Sequence, residues 1–188
     1  MFNSLKMWLL KIKTKAAFKK IVKDHNHQSN DYLRVTREAL LHLPESELYA
    51  AASAITEDII NKHEEIIDGV NEMNDAQKAF YVTSYYEMEV NNGGLCQFFV
   101  NSSRAVAPLL SHYLEAIGAI EHKRLFDTFL KNNQIDVNDL SSFIVDDVAE
   151  FQQQTKRYPF DEYDDNFYQL KSIESFLIDY LKRNLNNI

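Results

Sequence analysis

Two of the chain's four glycines stand side by side in residues 89–101, EVNNGGLCQFFVN, within a sequence otherwise patterned for helices. A Gly-Gly pair after a periodic helical run supplies a φ > 0 residue at little steric cost, and the LCQFFV run that follows reads as a new helix start. The pair therefore predicts a tight elbow between two helices. Asn91, Asn92, Gln97 and Asn101 flank it, and such carboxamides can cap helix ends and bond backbone groups left unpaired at a break. The remaining two glycines and three prolines leave few turns for an all-β fold, while 22 Phe and Tyr residues can fill a core. A length of 188 residues suits one domain. The expected fold class is all-α, a single multi-helix globule of about eight helices.

Charge divides the chain sharply. Residues 1–23 hold seven lysines and no acid, so residues 24–188 carry all 28 acids against 13 Lys and Arg, a net charge of −15. An acidic body of this kind repels nucleic acid and anionic membrane surfaces and attracts basic partners at rates that fall with salt. Direct nucleic-acid binding by the body is not expected. The single cysteine, Cys96, permits no internal disulfide, and no run is apolar and charge-free long enough to span a bilayer, so a cytoplasmic protein is expected.

Residues 1–23 read as a basic amphipathic helix, with Met7, Leu10, Ala17, Phe18 and Ile21 near one side and Leu5, Trp8, Leu9 and Ile12 on another. Lysines interrupt the apolar run and no small-residue cleavage site follows, which argues against a secretory signal. Such a helix can lie on an anionic membrane or pack on its own domain or a partner. Residues 24–30, DHNHQSN, read as a polar connector, and residues 31–188 as the acidic domain.

Within that domain the spacing predicts helices over 31–43; from Pro44 to about 68, with Leu48, Ala52, Ile55, Ile59, Ile66 and Ile67 on one side; from an Asn74 or Asp75 cap to the elbow, with the stripe Ala76, Ala79, Thr83, Tyr86 and Val90; and over 94–101, 105–118, 121–132, 139–156 and 172–187.

The chain has no GxSxG, P-loop, GxGxxG or HExxH motif, and no glutamate with a histidine three residues on, as a di-iron bundle requires. Asp24, His25 and His27, with distant His63 or His112, are the best metal candidates, but a polar connector offers no frame to fix ligand geometry. Cys96, beside an aromatic pair, reads as a small buried hydrophobe. No cofactor, no metal and no enzymatic activity are expected.

The positive signal is the placement of carboxylates. At about 100° per residue, Glu57, Asp58, Glu64, Glu65 and Asp68 would share roughly a 120° arc on the 44–68 helix, opposite its isoleucines, and run about 16 Å along it. A second concentration comprises Asp146, Asp147, Glu150, Asp161, Glu162, Asp164 and Asp165; nine acids between residues 132 and 170 face only Lys156 and Arg157. Like charges this close repel and give no stability in return. The plain reading is a solvated surface; the functional one is a set of carboxylates standing where DNA phosphates would.

The glycine segment also resembles the signature of the bacterial DNA-mimic protein family, the DNA mimic protein 19-like domain long filed as a domain of unknown function. Its marks are Glu89, the Asn91-Asn92-Gly93-Gly94 turn, and the Gln97-Phe98-Phe99 run ending in Asn101. PLLSHYLEAIGA (108–119) is similar to the family's following helix, and PFDEYDDNFYQL (159–170) to its acidic C-terminal motif. The resemblance covers roughly residues 30–188. It implies an α-helical, non-catalytic protein whose acidic face imitates double-stranded DNA and occupies the DNA-binding surface of a transcription factor or histone-like protein.

The leading expectation is thus an acidic protein that inhibits a basic DNA-binding protein. An immunity protein against a toxic nuclease would use such a surface equally well. A membrane-surface module anchored by residues 1–23, or a lid formed by that segment over the acidic stripe, are the other readings.

Overall fold

The computed structural model describes residues 31–33 and 42–184. The basic segment, the connector, residues 34–41 of the expected 31–43 helix and the last four residues lie outside them.

Eight α-helices and two short 3-10 helices make up the described body, with no strand among the described residues, and the fold is all-α. Helix α1 spans Glu45–Ile60, preceded by Pro44 and opened by Glu45 and Glu47, whose charges complement the helix N-terminus. The 44–68 helix expected from periodicity is broken. After Ile60 the chain turns through residues 61–65 and starts α2, Ile66–Glu72. The reason is packing: a Cβ on Gly69 would stand 3.0 Å from the Ile60 Cα and 2.9 Å from its Cδ1, so the missing side chain lets α2 fold back against the end of α1.

Helix α3, Asp75–Val100, is the central element. Asn74 caps it in a reciprocal box: Gln77 N–H donates to the Asn74 side chain at 3.0 Å and Asn74 N–H to the Gln77 side chain at 3.1 Å. The stripe Ala76, Ala79, Thr83, Tyr86 and Val90 is buried throughout, as its three-four spacing predicts. At the glycine pair the helix axis breaks. Gly94 holds φ 79, ψ 175, a region essentially reserved for glycine, and Gly93 holds φ −162, ψ 24. The second arm carries Leu95, Cys96, Phe98 and Phe99 into the core.

A 3-10 turn (Ser102–Val106) leads into α4, Ala107–Ile117, which Gly118 ends, and α5 follows over Ile120–Asn133. The helix expected over 139–156 is shorter than its pattern suggested. Asp139 accepts from the N–H and hydroxyl of Ser141, a 3-10 turn occupies Ser141–Phe143, and α6 begins only at Val148, capped by Asp147. Side chains that bond nearby backbone groups compete with helix at such places. The acidic 159–170 stretch contains a further helix, α7, Phe160–Phe167, and α8 spans Ile173–Asn184. The core where these helices meet is aromatic: Tyr86, Phe98, Phe99, Phe126, Phe143 and Phe160 are all fully buried, with edge-to-face contacts such as Tyr86 on Phe98 and on Phe167.

Candidate functional site

Two groups of polar residues stand out: buried carboxylates that brace the elbow, and exposed carboxylates that charge the surface.

The elbow opens backbone groups on both of its arms, and α7 together with Tyr168, the residue that ends it, supplies a partner to each. Leu95 N–H, at the start of the second arm, donates to Asp164 Oδ1 at 2.9 Å; the Val90 carbonyl, near the end of the first, accepts from the Tyr168 hydroxyl at 2.9 Å. One turn away the hydroxyls of Tyr86 and Tyr163 bond each other inside the core. Burial, opposed by the Leu95 bond and reinforced by Asp161 and Asp165, pushes the Asp164 carboxyl up to about 6. Asp164, expected among the surface acids, is therefore a half-buried brace of the elbow.

Glu89 closes the elbow from the other side. Only 4% exposed, it accepts from Gln97 Nε2 at 2.6 Å and from Asn101 Nδ2 at 2.9 Å, tying the first arm to the second. Gln97 and Asn101 thus bond a carboxylate and not the open backbone groups their amides were expected to satisfy, while Asn91 and Asn92 face solvent. Phe98 and Phe99 fill the core beneath.

Glu87 was not singled out in the sequence. It accepts from Ser172 Oγ at 2.8 Å, Ile173 N–H at 2.7 Å and Glu174 N–H at 2.9 Å, a carboxylate from α3 that caps the start of α8. Its signal was a charged residue beside Tyr86 on a buried stripe, a position tolerated only with partners.

The residue types for catalysis are present near Glu87, but they are not joined as a relay. Ser172, His122 and Glu87 line one small cavity, yet the serine hydroxyl donates to Glu87 and His122 Nε2 bonds the Lys171 carbonyl at 2.8 Å. Burial holds the imidazole below its ordinary range. Cys96 is buried, and burial followed by the Asp164 charge pushes its thiol up to about 12, far from thiolate reactivity. Among the described residues no three His, Cys, Asp or Glu side chains are grouped to hold a metal ion. His63 faces Glu72 at 3.2 Å, His112 packs on Tyr113, and Asp24, His25 and His27 lie outside the described residues.

The expected acidic ribbon is not the face of one helix. Glu57 and Asp58 belong to α1, Glu64 and Glu65 to the turn after it, and Asp68 to the first turn of α2. Glu57, Glu64, Glu65 and Asp68 are exposed; Asp58 is paired with Lys62 at 2.6 Å. In the second group Asp146, Asp147, Glu150, Asp161, Glu162 and Asp165 are exposed. Asp147 and Glu150 also form the capping pair of α6: Glu150 N–H donates to Asp147 at 2.9 Å and Asp146 N–H to Glu150 at 2.8 Å. No helix among the described residues is long and apolar enough to cross a membrane.

A family model described as DMP19-like protein matches residues 71–184, from the end of α2 through α8, and so takes in the elbow and each of its braces. No curated protein and no solved structure is matched by the chain.

Proposed function

The chain belongs to the DMP19-like protein family, and on that premise we propose that it is a non-enzymatic acidic protein that captures a basic DNA-binding protein, a transcription factor or histone-like protein, by presenting carboxylates in place of DNA phosphates. The observation that carries this reading is the net charge of −15 on residues 24–188, with Glu57, Glu64, Glu65 and Asp68 on α1, α2 and the turn between them all turned to solvent. Self-repulsion among such groups costs stability, and a complementary positive partner relieves it. The unlinked Ser172 and His122, and the unreactive Cys96, favour a binding role over a catalytic one.

Replacing Glu57, Glu64, Glu65 and Asp68 together by lysine tests the reading. The variant is expected to keep its helical circular dichroism and thermal transition and to lose capture of basic DNA-binding proteins from lysate of the native cell. Undiminished capture by the folded variant would exclude this surface. Identifying what high salt releases separates a transcription factor or histone-like partner from a nuclease.

A further inference from the structure

A cleft of about 480 Å³ opens between α1 and α3. Its walls are Tyr49 and Ile60 of α1 and Phe80, Tyr81, Tyr85 and Met88 of α3, and Glu57 stands on its rim. Met88 is 52% exposed there, a large apolar side chain facing water. No lysine or arginine lines the cleft among the described residues. Its electrostatics have one sign: burial raises the hydroxyls of Tyr49 and Tyr81, and the acidic residues that raise them further are Glu57, Glu87 and Glu174 at Tyr49 and Glu57 and Glu89 at Tyr81. An apolar floor in a negative field fits a helix with an apolar stripe flanked by lysines.

This chain carries such a segment. We propose that residues 1–23 dock in the α1–α3 cleft of their own chain, with Leu5, Trp8, Leu9 and Ile12 toward its aromatic floor and the flanking lysines toward Glu57 and the surrounding carboxylates. The tether permits this arrangement. Tyr32 packs on Ala51 and Ala54, which at about 100° per residue lie on the side of α1 turned away from the cleft. The path from there runs about 9 Å along the helix axis and half a turn around a helix about 10 Å across, on the order of 20 Å in all. Residues 24–31 can extend up to about 26 Å, so the segment reaches the cleft and is held near it at an effective concentration on the order of millimolar. The proposal stands on the cleft and the segment and shares Glu57 with the surface argued above, so a docked segment would compete with a basic partner there.

Trp8 is the chain's single tryptophan, so its fluorescence reports the segment alone. In the full chain Trp8 emission is expected to be blue-shifted and shielded from acrylamide, and to stay so on dilution to nanomolar concentration. Met88→Lys, a change at an exposed position, is expected to shift emission to the red and raise quenching several-fold while circular dichroism is unchanged. Leu9→Asp, made in the segment itself, should do the same, and it keeps the test available if Met88→Lys disturbs folding. A solvent-exposed Trp8 in the unaltered chain would overturn the proposal. So would emission that ignores both variants, shielding that disappears on dilution and so belongs to a second copy, or shielding that appears only with anionic lipid vesicles.

Discussion

At the scale of single residues the elbow is held by a carboxylate where a side chain is forbidden. A Cβ on Gly94 would fall 2.1 Å from Asp164 Oδ2, at a φ of +79° that L residues rarely adopt. On Gly93 it would meet the Gln97 amide oxygen at 2.1 Å and so loosen the bond from Gln97 to Glu89, but at a φ of −162° that L residues adopt without strain. Gly94→Ala is therefore expected to cost about 3 kcal/mol and Gly93→Ala clearly less, as read by urea unfolding. Equal losses would show that the Asp164 contact is not what restricts the position. If the elbow serves only the fold, partner capture should fall with Gly94→Ala only as far as folding does.

Asp164 also sets a pH dependence. Its folded carboxyl titrates near 6 against an ordinary 3.8, so the folded state holds the proton more tightly than the unfolded chain. Its contribution to stability is complete below about 4 and fades as pH rises through 6. His122, lowered by burial, acts the other way, its contribution being lost as pH falls below its ordinary 6.5. Asp164→Asn keeps an oxygen for Leu95 N–H and removes the titration. The variant should gain relative to the unaltered protein as pH rises from 4 to 7, measured as the difference in denaturation midpoint at each pH. A constant difference across that range would rule out Asp164 as the titrating group.

At the scale of elements, carboxylates of α3 and side chains from α7 and its C-terminal cap fix how distant segments meet. Glu87 takes the first N–H groups of α8, 86 and 87 residues further on, and holds the Ser172 hydroxyl as well. Glu87→Gln leaves one acceptor oxygen and turns a donor toward donors. It is expected to cost roughly 2 kcal/mol and to speed amide exchange at the start of α8 before exchange elsewhere rises. Uniform acceleration throughout the body would mean that α8 is not separately anchored. The same scale explains the segments that carried the family resemblance: EVNNGG and PFDEYDDNFYQL are one structural unit, because Asp164 and Tyr168 of the second satisfy backbone groups opened by the first.

At the scale of the whole molecule, charge and shape separate. The brace carboxylates Glu87, Glu89 and Asp164 are engaged within the fold, so the charge available to a partner comes from the exposed acids, among them those on α1, α2, α6 and α7 and the turns before them. Capture by such a surface should weaken steeply between low and physiological salt, because exposed charges are screened over about 8–10 Å. Capture insensitive to salt would point to apolar docking instead and weigh against phosphate imitation.

Local pattern by itself determined the all-α class, a cap at Asn74 or Asp75, the buried stripe of α3 and the existence of the elbow, because each rests on helical period, capping chemistry or a backbone conformation that only glycine adopts cheaply. The division of the charge was legible too, since it is a matter of counting. Where each carboxylate points was not. Asp161, Glu162, Asp164 and Asp165 follow one another in sequence, yet only Asp164 reaches the N–H of Leu95, 69 residues away. The break after Ile60 was likewise hidden, because the isoleucine period runs on through it and the approach of Gly69 to Ile60 that the turn brings about is a tertiary contact. Glu87 and the α1–α3 cleft exist through contacts between helices distant in the chain. Periodicity reports which side of a helix is buried, and tertiary packing alone decides what it is buried against and which charges remain for a partner.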